Sequence, residues 1–245
     1  MSIQRGGGLP GVSLAVLMLC TSACTVAPSP EKPSEGAGHI GQRAVVSPEV
    51  AARAFDIVRG VDYLPFGYKE EGCNERALYM AMELAAQKIP SSALYAEGDL
   101  RPSEDVEWEY HVAPMLQIDG KQMVIDPSLE SAPVTVDAWI ADMRSPANVV
   151  TFFVPGSHAK KARRSGQPMI RSFDELPPFD KNDIMSSCGV MWNFLGREAP
   201  FRPEHRSRLL ERTKALVAQL VAVGKLPERT AFTEEDRVDC ESWEM

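Results

Sequence analysis

Three short stretches hold side chains that could do chemistry together: Glu71-Gly72-Cys73-Asn74-Glu75-Arg76-Ala77, Trp108-Glu109-Tyr110-His111-Val112-Ala113-Pro114 and Val124-Ile125-Asp126-Pro127-Ser128-Leu129. In order they offer a thiol, an imidazole and a carboxylate, the set that acyl transfer through a cysteine nucleophile requires. A lone cysteine is most often a small buried hydrophobe and a lone histidine on a strand most often a structural residue, so the three carry weight only as a set. Metal ligation fits less well. Thirty-seven residues separate Cys73 from His111 and fourteen separate His111 from Asp126, without the short Cys-x-x-Cys or His-x-x-x-His spacings of zinc sites.

The elements that must position these groups follow from local pattern. Cys73 comes directly after a glycine, at the first turn of a helix expected from about Cys73 to Lys88, with Pro90 beyond its end. Ala77, Met80, Ala81, Leu84 and Ala85 repeat at helical spacing, which predicts one buried face. At a helix start the unpaired N–H groups and the positive end of the dipole favour thiolate, and the same N–H groups can stabilise an oxyanion. Asp119-Gly120 between two extended runs predicts a type I′ hairpin in which Ile118 faces Lys121. Continued outward, that register sets His111 opposite Ser128 and places Asp126 diagonal to His111 on the same face, roughly 7–8 Å away between backbones. A one-residue slip, which a bulge at Pro114 would allow, puts the two on opposite faces.

With these residues in view, the sequence resembles the bacterial protein-glutaminases, a family with a papain- and transglutaminase-like core. The resemblance runs from about Glu71 to Leu129. It rests on Gly72-Cys73 with Arg76-Ala77, on Trp108 with Tyr110-His111-Val112-Ala113-Pro114, and on Ile125-Asp126-Pro127-Ser128-Leu129. It implies Cys73 as nucleophile, His111 as general acid and base, and Asp126 as the carboxylate that orients the imidazole. It also implies deamidation of glutamine side chains in proteins or peptides, through a thioester and without a metal or organic cofactor. The secreted enzyme typical of the family has a long N-terminal pro-segment; this chain has a short Pro/Ser/Glu-rich stretch there, so inhibition by a pro-segment is not carried over.

The 245-residue chain is 44% hydrophobic, enough for one good-sized core. Its formal net charge of −8 argues against a nucleic-acid partner. Residues 1–23 read as an export signal, with Arg5, an apolar run from Val12 to Leu19 too short to span a membrane, and the small pair Ser22-Ala23. Ser22-Ala23-Cys24 also resembles a lipoprotein cleavage box, with Thr21 where leucine is usual, so Cys24 is a candidate membrane tether. Residues 24–44 read as a disordered Pro/Ser/Glu-rich tether and 45–245 as the catalytic domain.

Within that domain Ser47-Pro48-Glu49 predicts a capped helix ending near Gly60. Asp62 to Tyr68 predicts an aromatic loop, which fits core better than a wall of the site. Thr135 to Ile140 predicts a short helix, Val149 to Val154 a buried strand, and Pro203 to about Val223 a long helix stopped by Gly224. Phe173 to Pro203 reads as turns and short pieces, and Lys160 to Arg164 as a basic loop. If Cys24 is lipidated and Cys73 stays free, Cys188 and Cys240 remain as a possible disulfide pair.

The expected fold is α+β, a nucleophile-bearing helix packed on an antiparallel sheet that carries His111 and Asp126. The same three groups could also pass an acyl group to lysine or cleave a peptide bond, and a non-catalytic envelope-tethered binding lipoprotein is the alternative from another class. A narrowly specific effector acting in another cell is a further possibility.

Overall fold

The structure, a computed structural model, describes residues 45–67, 71–144, 150–155, 179–197 and 202–243. The expected signal peptide, the tether with Cys24, Tyr68 and the basic loop at Lys160–Arg164 lie outside the described residues. Among these residues no helix is long and apolar enough to cross a membrane.

The described chain is an α+β fold built on one six-stranded sheet. Its strands are β1 (Val45–Val46), β2 (Ser92–Ser103), β3 (Val106–Ile118), β4 (Lys121–Val124), β5 (Val134–Thr135) and β6 (Val150–Pro155). The order is β5-β4-β3-β2-β6, all antiparallel, with β1 added parallel to β3. The helices are α1 (Pro48–Arg59), α2 (Cys73–Ala86), α3 (Val136–Asp142), α4 (Lys181–Arg197), α5 (Pro203–Ala222) and α6 (Glu234–Glu241).

Period-2 alternation gives the sheet two apolar faces. Ala93 and Tyr95 of β2 with Val112, Leu116 and Ile118 of β3 join the main core under α2, α1, α4 and α5. Leu94, Ala96 and Leu100 with Ala113, Met115 and Val124 face the other way, onto Trp139 and Met143 at α3. α2 is therefore enclosed by the sheet and three helices. It is buried nearly all round, from Cys73 to Leu84, where the sequence pattern predicts a single buried face. The more deeply buried of its two buried carboxylates, Glu83, accepts from Tyr63 Oη and from Arg212 Nε at 2.7 Å. Burial first, then the charge of Glu83, pushes the Tyr63 hydroxyl well above the ordinary tyrosine range, so it remains a donor. Tyr63 thus assigns the aromatic loop to the core.

Two expected helices are capped as their sequences demand: Ser47 Oγ accepts from Val50 N–H, and Thr135 Oγ1 accepts from Ala138 N–H. Val150–Pro155 is a strand, and Gly224 takes φ 72° just past α5.

The region expected to hold turns and short pieces contains instead the 17-residue helix α4. Its glycines and serines lower helix propensity, but two of them serve packing. A Cβ at Gly189 would stand 2.3 Å from Trp243 Cβ, and one at Gly196 2.1 Å from an Arg206 nitrogen. Tertiary contact outweighs local preference here. The expected pair Cys188–Cys240 is disulfide-bonded and fastens α4 to α6.

Candidate active site

Cys73 opens α2 at a left-handed turn. Gly72, the residue before it, takes φ 83°, a conformation unfavourable to any residue with a Cβ, and Cβ at this position would meet Phe194 at 2.5 Å. Gly72 has no side chain to cap the helix, so the first-turn N–H groups of α2 border the cavity above it. The turn is braced from behind: Arg76 Nη1 donates to the backbone oxygen of Glu71 at 2.9 Å and to that of Pro65 at 3.5 Å. On the sheet side Asn74 Nδ2 donates to Tyr110 Oη at 2.8 Å while Tyr95 Oη donates to Asn74 Oδ1 at 3.0 Å. One amide thus ties the helix start to β2 and β3. Cys73 itself is buried and outside any disulfide.

His111 lies on β3 and Asp126 just past β4. The hairpin between them has the expected register, Ile118 opposite Lys121, with Asp119 and Gly120 both at positive φ. Pro114 does not break it: the ladder runs through Met115 opposite Val124, and Pro114 O accepts from Ile125 N–H. It then stops short of the expected Ser128 pairing. Pro127 has no N–H to continue the ladder, and Asp126 instead starts a turn, accepting Ser128 N–H on Oδ1 at 3.1 Å. The carboxylate nevertheless reaches the imidazole, with His111 Nε2 2.8 Å from Asp126 Oδ2.

Trp139 completes this arrangement, and the sequence reading missed it. From α3 its Nε1–H donates to Asp126 Oδ2 at 2.9 Å, and its ring centroid is 5.5 Å from that of His111. The available signal was a tryptophan with a polar edge in a short helix soon after Asp126, which a core residue would give equally. Trp108 stacks on the imidazole, with ring centroids 4.6 Å apart and planes at 22°. Strict alternation would put Trp108 and His111 on opposite faces, but the β2–β3 register shifts beside Trp108, between Glu97 and Leu100 and again before Ser103.

The electrostatics follow from burial against charge. His111 and Asp126 are 2% and 1% exposed. Burial alone would depress the imidazole; the charge and hydrogen bond of Asp126, then the hydrogen bond and charge of Cys73, outweigh it and raise His111 to about 9. Burial would raise Asp126, but the His111 charge and hydrogen bond, then the Trp139 and Ser128 donors, hold it below the ordinary carboxylate range. Nε2 is taken by Asp126, which leaves Nδ1 for the Cys73 thiol. The indole faces beside the ring add to the preference for imidazolium.

Cys73 and His111 therefore line one cavity of about 510 Å³, together with Trp108, Tyr110 and Phe194, while Asp126 holds His111 from outside that lining. Such an arrangement can pass a proton between sulfur and imidazole beside open backbone donors. Among the described residues no group of three or more His, Cys, Asp or Glu side chains is placed to hold a metal.

Fold and site together give an α+β chain in which a thiol at a helix start, an imidazole and a carboxylate come together. Residues 50–143 match the family described as Glutaminase. No curated protein sequence matches the chain. Among solved structures it is similar to the NMR structure of protein-glutaminase from Chryseobacterium proteolyticum, at TM-score 0.48 and 22% identity over 64% of this chain and 94% of that one. A crystal structure of protein-glutaminase matches at 0.48 and 22% over 62% and 90%, and one of pro-protein-glutaminase at 0.48 and 21% over 63% and 61%.

Proposed function

We propose that this chain hydrolyses glutamine side chains in proteins or peptides to glutamate and ammonia, with 45–245 as its catalytic domain. The observation that carries this reading is the buried His111–Asp126 pair beside the free thiol of Cys73 within the matched family stretch. Cys73 thiolate attacks the carboxamide carbon, and first-turn N–H groups of α2 stabilise the oxyanion. His111 imidazolium gives its proton to the departing ammonia, leaving a thioester. Water then adds, deprotonated by His111, and the glutamate carboxyl leaves as sulfur takes the electron pair back. Asp126 keeps Nε2 protonated and Nδ1 toward sulfur throughout.

Export is part of the proposal, in secreted form or attached through a lipidated Cys24. Its supports are the residue pattern before Cys24 and the Cys188–Cys240 disulfide, a bond that persists in oxidising compartments.

The test incubates the chain with an unfolded glutamine-rich protein and follows ammonia and product mass beside Cys73→Ala. Ammonia lost in the variant, with about one mass unit gained per site and neither fragments nor cross-links, is the expected result. New termini would replace this reading by a peptidase, and joined chains by a transglutaminase. An absence of ammonia together with Cys73 no more reactive to iodoacetamide than a free thiol would replace it by a binding protein.

A further inference from the structure

One wall of the cavity over Cys73 comes from α4, an element that the chemistry above does not use. Val190 and Phe194 line that wall, and both lie outside the matched residues 50–143. Phe194 is 1% exposed. Its ring packs so closely on Gly72 that a Cβ there would stand 2.5 Å from Cε2 and 2.8 Å from Cδ2, with Met191 Cε at 3.0 Å. Gly72 holds the left-handed turn that enters α2, and its carbonyl oxygen accepts Arg76 N–H at 2.9 Å, the first bond of that helix. Cys73 follows directly, so a shift of Gly72 moves the sulfur relative to the imidazole.

α4 is weak in helix propensity and is held from outside. Lys181 Nζ lies 2.8 Å from Asp236 Oδ2, the Cys188–Cys240 bond ties its middle, and Asn193 Nδ2 donates to the backbone oxygen of Trp243. These ties run from the first turn of α4 to its last, and all end on the segment 236–243. Both bridged cysteines are fully buried, and Cys188 precedes Phe194 by roughly 9 Å along the helix axis. We propose that Phe194 is a positioning residue for Cys73, acting through Gly72, and that the Cys188–Cys240 disulfide keeps it seated; the proposal rests on the deamidase reading. Forming that bond passes two electrons and two protons from the two thiols to a disulfide oxidant, which leaves as two thiols. A chain kept reduced therefore carries all three reactive groups with the sulfur out of line.

The test compares wild type, Phe194→Leu, Cys188→Ala with Cys240→Ala, and wild type refolded with a phosphine reductant, each shown to be folded by circular dichroism. Ammonia release from an unfolded glutamine-rich protein gives kcat and KM, and a histidine NMR titration follows His111. Against burial, Asp126 and then Cys73 raise that imidazole to about 9, so losing the sulfur contact should lower it. In Phe194→Leu, kcat is expected to fall about tenfold with little change in KM, and His111 to titrate below its wild-type value. The double alanine variant and the reduced chain should move in the same direction, and reductant should leave the double variant unchanged. Leu220→Ala, in the core of α5 outside the cavity lining, should lower the urea midpoint yet keep kcat and His111 at wild-type values. Unchanged kcat and His111 in Phe194→Leu, an equal loss in Leu220→Ala, or full activity without the bridge would overturn the proposal. Should Phe194→Leu not fold, Phe194→Met takes its place. If wild type releases no ammonia, the deamidase reading fails by itself, and the His111 titration across the same proteins decides the role of α4.

Discussion

Asp126→Asn changes one atom type at a carboxylate whose two oxygens both accept. Oδ2 takes His111 Nε2–H and Trp139 Nε1–H, and Oδ1 takes Ser128 N–H. An amide has one oxygen for these three donors. With its nitrogen at the Oδ1 position it opposes the Ser128 N–H and breaks the turn. With its nitrogen at Oδ2 it opposes Trp139 and moves the imidazole proton to Nδ1, beside Cys73, where the ring can no longer accept the thiol proton. Either orientation leaves a buried donor unpaired, at about 1–3 kcal/mol. The charge that outweighs burial is lost in both, so His111 should fall from about 9 to its ordinary 6.5 or below. That change is roughly 3 kcal/mol of imidazolium stabilisation, and removing acid–base function of this kind lowers turnover about 10²- to 10⁴-fold. The assay is a histidine NMR titration of both proteins, read beside ammonia release. His111 still titrating near 9 in the variant would refute the reasoning, as would turnover above about a tenth of wild type. The same pair sets a pH dependence of stability. His111 is raised, so its contribution is complete below 6.5 and disappears as pH rises through about 9; Asp126 is lowered, so its contribution is present above 3.8 and disappears as pH falls through its depressed value. Urea midpoints should therefore be highest between these limits, and Asp126→Asn should flatten the alkaline arm.

Removing the Cys188–Cys240 bridge, by Cys188→Ala with Cys240→Ala, opens a loop closed over 52 residues. The chain-entropy relation gives a loss of about 4 kcal/mol, or about 10 °C in thermal midpoint, and an unchanged midpoint would show that α4 does not depend on it. Gly72→Ala forces a Cβ into a positive-φ residue and against Phe194, and should destabilise the chain by about 2–4 kcal/mol in urea titration while lowering Cys73 alkylation. Asn74→Leu unties the helix start from Tyr95 and Tyr110. It should cut kcat about tenfold or more with less change in KM, because it displaces sulfur from the imidazole; an effect confined to KM would oppose that role.

Much of the site was legible before any coordinates because it is written in local terms. A glycine before a cysteine before a helical stripe places a thiol at a helix start, and Asp119-Gly120 fixes the pairing that brings Asp126 back toward His111. α1, α3 and α5 were marked by Ser47, Thr135, Pro203 and Gly224, residues whose effect is confined to one turn. β2 was not marked, since Gly98 between Glu97 and Asp99 interrupts alternation where the ladder shifts register. α4 was read as turns because its glycines and serines disfavour an isolated helix.

The sequence by itself thus determined which thiol, imidazole and carboxylate are candidates, their order along the chain, the helix start under Cys73 and the hairpin that pairs His111 with Asp126. Tertiary structure alone decided what surrounds them. Trp139 reaches Asp126 from a separate helix, Trp108 stacks on His111 across a register shift, and α4 folds against Trp243 and a disulfide. Trp108 lies only three residues from His111 but meets it against strict alternation, Trp139 lies 13 residues from Asp126 on another element, and Cys188 lies 52 residues from Cys240, so no local periodicity records any of these partners. The raised His111 belongs to the same class, because its protonation depends on burial and charge that exist only once the sheet, α2 and α3 have closed around it.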